Sequence, residues 1–136
     1  MALTLSIGCR NGLANTQGFS EMFDGGTLRI FSGDSPGVEY GVTGAELVSL
    51  SVAFSSAGEG VAALQQQSVL VSETGTAGYF RLSDASDEYG ANANGTAVRA
   101  DGTCGVLDIS SDLTLVSLAM TAGVLFTAYG NFNVPT

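Results

Sequence analysis

Ser68-Val69-Leu70-Val71-Ser72-Glu73-Thr74-Gly75-Thr76-Ala77-Gly78-Tyr79-Phe80-Arg81-Leu82-Ser83 is the stretch whose reading decides the fold. Two runs rich in β-branched and aromatic residues flank a short polar link that contains a glycine. Successive side chains of a strand point to opposite faces, so period-two alternation fits a strand and not a helix. Two alternating runs joined by a short Gly-containing link predict a β-hairpin, Ser68 to Ser72 against Ala77 to Ser83.

The pattern continues on both sides. Upstream, Thr27 to Phe31 places Leu28 and Ile30 on one face and Arg29 and Phe31 on the other. The cluster Ser32 to Gly37 reads as a turn. Glu46 to Phe54 alternates again, with Val48, Leu50, Val52 and Phe54 sharing a face. Ser55 to Gly60 reads as loose Gly/Ser/Ala chain, and Val61 to Gln65 as a short helix or a strand. Downstream, a polar loop from Asp84 to Gly95 precedes a short strand, Thr96 to Ala100, and a tight turn at Asp101-Gly102. Val106 to Ile109 is a brief strand. Leu113 to Leu118 and Val124 to Phe132 are two more, joined by a turn near Thr121-Ala122-Gly123.

Only Ala2 to Phe23 has helical character, with Leu13, Phe19, Met22 and Phe23 as apolar anchors. Asn11-Gly12 and Gln17-Gly18 are expected to break it into short pieces, and Asp24-Gly25-Gly26 to end it. Many short strands with Gly-rich turns and little helix predict a mainly β chain. The expected architecture is a single-domain β-sandwich or jelly-roll-like barrel over residues 1–136. Residues 1–25 are expected to form a short helical N-terminal arm.

At 136 residues the chain is long enough for a self-sufficient core, burying roughly two-thirds of its unfolded surface. Charged residues are 12% of the chain, about half the usual share, which predicts an unusually neutral surface. Four arginines face thirteen carboxylates, giving a net charge of −9. That balance repels phosphate backbones and anionic lipid, so neither nucleic acid nor membrane is an expected partner, while a basic protein surface is. Leu113 to Thr136 carries no charge, yet its Thr, Ser, Gly and Asn residues interrupt it too often for a lipid-facing helix. Ser6-Ile7-Gly8-Cys9 has a faint lipoprotein-box look without the basic and apolar regions that such a signal needs. The expectation is a soluble, unprocessed chain whose Cys9 and Cys104 are free thiols.

The residues absent from the chain bear on its chemistry. There is no His and no Lys, which removes the commonest general base, the Ser–His and Cys–His pairs, and Schiff-base chemistry. No enzymatic activity and no cofactor are expected. Asp84, Asp87 and Glu88 are the only weak metal candidates, because hard oxygen ligands on a loop suit Ca²⁺. Their spacing fails the EF-hand pattern, with Tyr89 at the glycine position and Gly95 at the twelfth. Arg29, Arg81 and Arg99 lie in or beside predicted strands and are expected to pair with carboxylates, across strands or across an interface. Arg10, Arg29, Tyr40, Arg81, Tyr89, Arg99 and Tyr129 are the candidate interface residues, with core packing as the competing role of Tyr129.

The order of segments also resembles a known family. Ala2 to Leu13 (ALTLSIGCRNGL), Gly26 to Gly33 (GTLRIFSG), Gly75 to Asp84 (GTAGYFRLSD), Ala97 to Thr103 (AVRADGT) and Leu107 to Ser111 (LDISS) are similar, in order, to segments of small virion proteins of tailed bacteriophages. The chain departs from that pattern between Val38 and Gln67. The resemblance implies a virion structural protein assembled in the host cytoplasm, foremost a capsid decoration (cement) protein. Such a protein would contact the major capsid protein or neighbouring virion proteins and form a homo-oligomer, with a trimer favoured. A neck or tail ring or sleeve protein is the alternative, and a carbohydrate- or Ca²⁺-binding adhesion module built on the Asp84 to Gly95 loop is the third.

Overall fold

In the computed structural model the described residues are 3–14, 19–58, 61–85, 87, 90–93, 97–105, 113–114 and 119–133. In chain order they form β1 (Thr4–Leu5), α1 (Ile7–Ala14), α2 (Phe19–Phe23), β2 (Thr27–Ser32), β3 (Glu46–Ser51), β4 (Phe54–Gly58) and β5 (Val61–Leu70). There follow β6 (Gly75–Ser83), β7 (Arg99–Gly105), β8 (Leu113–Thr114), β9 (Ala119–Met120) and β10 (Leu125–Asn133). The chain is mainly β, with two short helices among the described residues, as a small β-sandwich-like domain.

Hydrogen bonding links the strands in the order β3-β2-β6-β7-β8-β10-β5-β4, with β1 beside β7 and β9 beside β6. Every pairing is antiparallel except β7 with β8. Register partners share a face, so each ladder shows what it buries. One face of the β3-β2-β6-β7-β1 group carries the row Leu50–Leu28–Leu82–Ala100–Leu5 and beside it Val48–Ile30–Phe80. All eight are buried, and they join Cys9, Met22, Phe23, Val71, Met120 and Phe126 in one core cluster. Burying a large aliphatic or aromatic side chain contributes about 1.5–3 kcal/mol, so this apolar face is the principal source of stability.

The opposite face of the same strands carries Ser49–Arg29–Arg81–Asp101–Thr4, flanked by Phe31–Tyr79–Thr103. A polar row would normally face water. Here the loop 33–45 and the described residues between β6 and β7 (84, 85, 87, 90–93, 97 and 98) lie over it, and Arg81, Arg99 and Asp101 are buried. Gly78 permits the first loop to settle, since a Cβ there would overlap the backbone carbonyl of Gly33.

Several expectations are corrected. The hairpin is absent: β5 lies between β10 and β4, while β6 lies between β2 and β7. The link is held by both neighbours instead. Ser72 donates its N–H and its hydroxyl to the Leu47 carbonyl, and Val71 donates to the Val124 carbonyl. A four-residue link can close a hairpin or carry the chain across to other partners, and alternation alone does not distinguish them. Ser55 to Gly58, expected as loose chain, belongs to β4 and pairs with β5, because a backbone ladder does not require large side chains. Val61 to Gln65 is strand. Asp101-Gly102 makes no turn but continues β7, opposite Arg81 and Phe80.

The described N-terminal residues hold both short helices and pack onto the sheet. β1 pairs with β7, and Leu3, Leu5 and Cys9 belong to the core cluster. Helix α1 runs through Asn11-Gly12 because its start is well capped. The buried Ser6 hydroxyl accepts the Cys9 N–H at 3.2 Å, three residues on, and Glu39 accepts the Ile7 N–H; both satisfy donors that a helix start leaves open. The Ser6 hydroxyl also accepts the Arg99 N–H at 2.9 Å and donates to the Ala97 carbonyl at 2.7 Å. Val106 to Ile109 and Leu115 to Leu118 lie outside the described residues. No helix among the described residues is long and apolar enough to cross a membrane.

Candidate functional site

The two buried arginines organise the loop-covered face. Arg81 meets Asp101 at two points, Nε to Oδ1 at 2.7 Å and Nη2 to Oδ2 at 3.0 Å. Arg99 meets Asp87 in the same way, at 2.7 and 3.1 Å. Planar guanidinium and carboxylate groups match in this fork geometry, which makes it directional as well as strong. Their remaining N–H groups reach carbonyls of the overlying loops: Arg81 donates to Tyr40 at 2.7 Å and Gly37 at 3.0 Å, and Arg99 to Ala91 at 2.6 Å and Tyr40 at 3.3 Å.

Both guanidinium groups therefore converge on the backbone of Tyr40. The two loops also join each other, since Ala93 donates to the Glu39 carbonyl and Gly41 to the Asn92 side-chain oxygen. Tyr79 pins the far end: its hydroxyl donates to the Thr43 carbonyl at 2.8 Å, and its ring stacks on Phe31 at 5.1 Å. Burial raises the pKa of this phenol above its ordinary value, so it stays a neutral donor. The backbone of the 37–43 segment is thus fixed from below, while the Tyr40 side chain stands 60% exposed.

A second exposed feature lies at one end of the β5–β10 ladder. Leu70 and Leu125 are register partners and share the outward face, 64% and 65% exposed, with Val124 beside them at 53%. The next pair, Val69 and Phe126, faces inward and packs in the core. Three neighbouring large apolar side chains in water form a patch of the kind found at contact surfaces.

Of the candidate residues read from the sequence, Tyr40 and Arg10 lie at the surface. Arg29 is half-buried, 3.5 Å from Glu46, and donates to the Ser83 hydroxyl. Arg81 and Arg99 are paired with carboxylates, as expected for strand arginines, but inside the chain; at 1% exposure they offer a neighbour no contact area. Tyr89 and Glu88 lie outside the described residues, as does the side chain of Tyr129. Asp87 is taken by Arg99, which leaves Asp84 as the one described member of the acidic loop trio not held in that ion pair. Among the described residues no three His, Cys, Asp or Glu side chains are grouped to hold a metal ion.

Asp101, read beside Arg99 as its structural partner, pairs with Arg81 instead, and sequence reasoning missed Ser6, Glu39 and the Leu70–Val124–Leu125 patch. Ser6, just ahead of a helical stretch, is the one with a local signal, that of an N-cap. The others are brought to their places by contacts distant in sequence.

Neither Cys9 nor Cys104 is in a disulfide. Burial pushes the Cys9 thiol up to about 12, which makes it inert at neutral pH. No protein family matches the chain, and no curated protein or solved structure is detectably similar to it.

Proposed function

We propose that this protein is a non-enzymatic structural component of a tailed-phage particle, a decoration protein that cements the head by contact with the major capsid protein. The observation that carries this reading is Tyr40, an exposed aromatic whose backbone is immobilised by two buried guanidinium groups. A rigid aromatic loses little entropy on binding, and such residues dominate the energetics of protein interfaces. The Leu70–Val124–Leu125 patch supplies a second contact surface. The order of sequence motifs supplies the virion assignment.

The mechanism is physical. A domain that bridges neighbouring subunits adds buried surface that is lost only when the subunits separate, so it stabilises the shell by mass action. The acidic surface favours a basic docking face. Quantitative mass spectrometry of purified particles tests the reading. A copy number comparable to that of the major capsid protein is expected. A small sub-stoichiometric number would move the assignment to the neck or tail, and complete absence from particles would overturn it.

A further inference from the structure

We propose that Asn92 is a positioning residue for the contact made by Tyr40: by holding the Gly41 N–H, it fixes the direction in which the Tyr40 ring is presented. The inference rests on the assembly reading for what Tyr40 touches, and it adds a residue on a distant segment that controls the contact.

A side chain leaves the backbone along its Cα–Cβ bond, and the two rigid peptide planes that meet at the Cα set that direction. At Tyr40 both planes are held at both of their polar groups. In the plane before it, the Glu39 carbonyl accepts the Ala93 N–H at 2.7 Å, and the Tyr40 N–H donates to the Gly37 carbonyl at 3.0 Å. In the plane after it, the Tyr40 carbonyl accepts Arg81 at 2.7 Å and Arg99 at 3.3 Å. The N–H of that second plane, from Gly41, donates to Asn92 Oδ1 at 2.8 Å. With both flanking planes fixed, the ring keeps only its own side-chain torsions, which settle in a few staggered wells.

Two of these holds, from Asn92 and Ala93, come from the segment between β6 and β7. The two segments are also in close backbone contact, since a Cβ on Gly41 would overlap the Gly90 carbonyl. Gly41 has no side chain to restrict its own backbone, so sterics do not duplicate the hold on its N–H. Asn92 differs from the other side chains that hold Tyr40. Arg81 and Arg99 are buried in ion pairs, and replacing either strands a buried carboxylate. Asn92 is exposed, so its replacement removes one hydrogen bond and leaves the fold in place.

The test uses the full chain with Asn92→Ala and with Asn92→Asp, which keeps an acceptor oxygen in the same place. Amide hydrogen exchange at Tyr40 and Gly41 is measured beside attachment to stripped particles, in the parent and in the Tyr40→Ala background. Asn92→Ala should leave the thermal midpoint nearly unchanged and speed exchange at Gly41 by about fivefold, the effect of one hydrogen bond. The Tyr40 N–H, bonded to Gly37 and not to Asn92, should speed up as well, because its backbone is released. Attachment should weaken by about the same factor where Tyr40 is present, and no further in Tyr40→Ala. Asn92→Asp should restore both exchange and attachment. Unchanged exchange at Tyr40 in Asn92→Ala, equal weakening of attachment in the Tyr40→Ala background, or no rescue by Asn92→Asp would each overturn the proposal. Failure of the parent chain to attach would overturn the assembly reading, and exchange at Tyr40 would still decide whether Asn92 fixes its backbone.

Discussion

Arg81 and Asp101 face each other across β6 and β7 as register partners, and their side chains close a fork-to-fork ion pair that is buried on both sides. The next cation on the same face, Arg29, is the β2 register partner of Arg81. Two like charges in adjacent positions repel. The arrangement is tolerable because each has its own carboxylate, Glu46 for Arg29 and Asp101 for Arg81.

This pair gives the first prediction. Removing one partner leaves a buried charge uncompensated, which costs about 3–5 kcal/mol. Asp101→Asn and Arg81→Leu should each lower stability by that order in urea denaturation. The double replacement should lose less than the sum, because neither charge is then stranded. Additive losses would mean that the pair does not couple.

Gly78 gives a steric prediction. A methyl group there meets the Gly33 backbone, which cannot rotate aside as a side chain could. Gly78→Ala should destabilise by about 1–3 kcal/mol, the usual cost of overpacking. Gly90→Ala, with open space around the added methyl, should stay within about 0.5 kcal/mol of the parent. The two thermal midpoints measured side by side check this.

The pH dependence follows from Cys9. Its thiol rises from 9.0 to about 12 on folding, so the folded state holds the proton more tightly than the unfolded one. That stability is fully present below about pH 9 and falls as pH climbs toward 12, by about 1.4 kcal/mol per unit. Tyr79, also raised by burial, adds to the loss above its ordinary value. Denaturation midpoints from about pH 8 to about pH 11 should therefore decline. Cys9→Ala should flatten the first part of the decline; an unchanged slope would remove Cys9 as its cause.

If the proposed decoration role holds, Tyr40 is the residue that should separate folding from assembly. Its side chain is largely in solvent, while its backbone carries the contacts to Arg81 and Arg99. Tyr40→Ala should leave the thermal midpoint nearly unchanged, yet weaken attachment to particles by about 2 kcal/mol, roughly thirtyfold, as for an interface anchor. Co-sedimentation with stripped particles would measure it. Undiminished attachment would exclude Tyr40 as a contact residue.

The sequence by itself determined the material of the fold. Alternation in Thr27 to Phe31 and Glu46 to Phe54 marked strands whose apolar faces are the core, because a pleated strand imposes period two on whatever it buries. The second run is two strands, β3 ending at Ser51 and β4 starting at Phe54. The scarcity of cations marked Arg29, Arg81 and Arg99 as pairing residues, which they are. Only the tertiary structure decided which strands are neighbours. Ser68 to Ser83 looked like a hairpin because alternation reports faces and not partners, and the Leu47 carbonyl that captures Ser72 lies 25 residues away. The same holds for the candidate site. Asp101 looked like a turn, and Tyr40 one aromatic among several, until the loops folded over the polar row. Their roles arise from buried contacts between distant segments, and no local pattern encodes those.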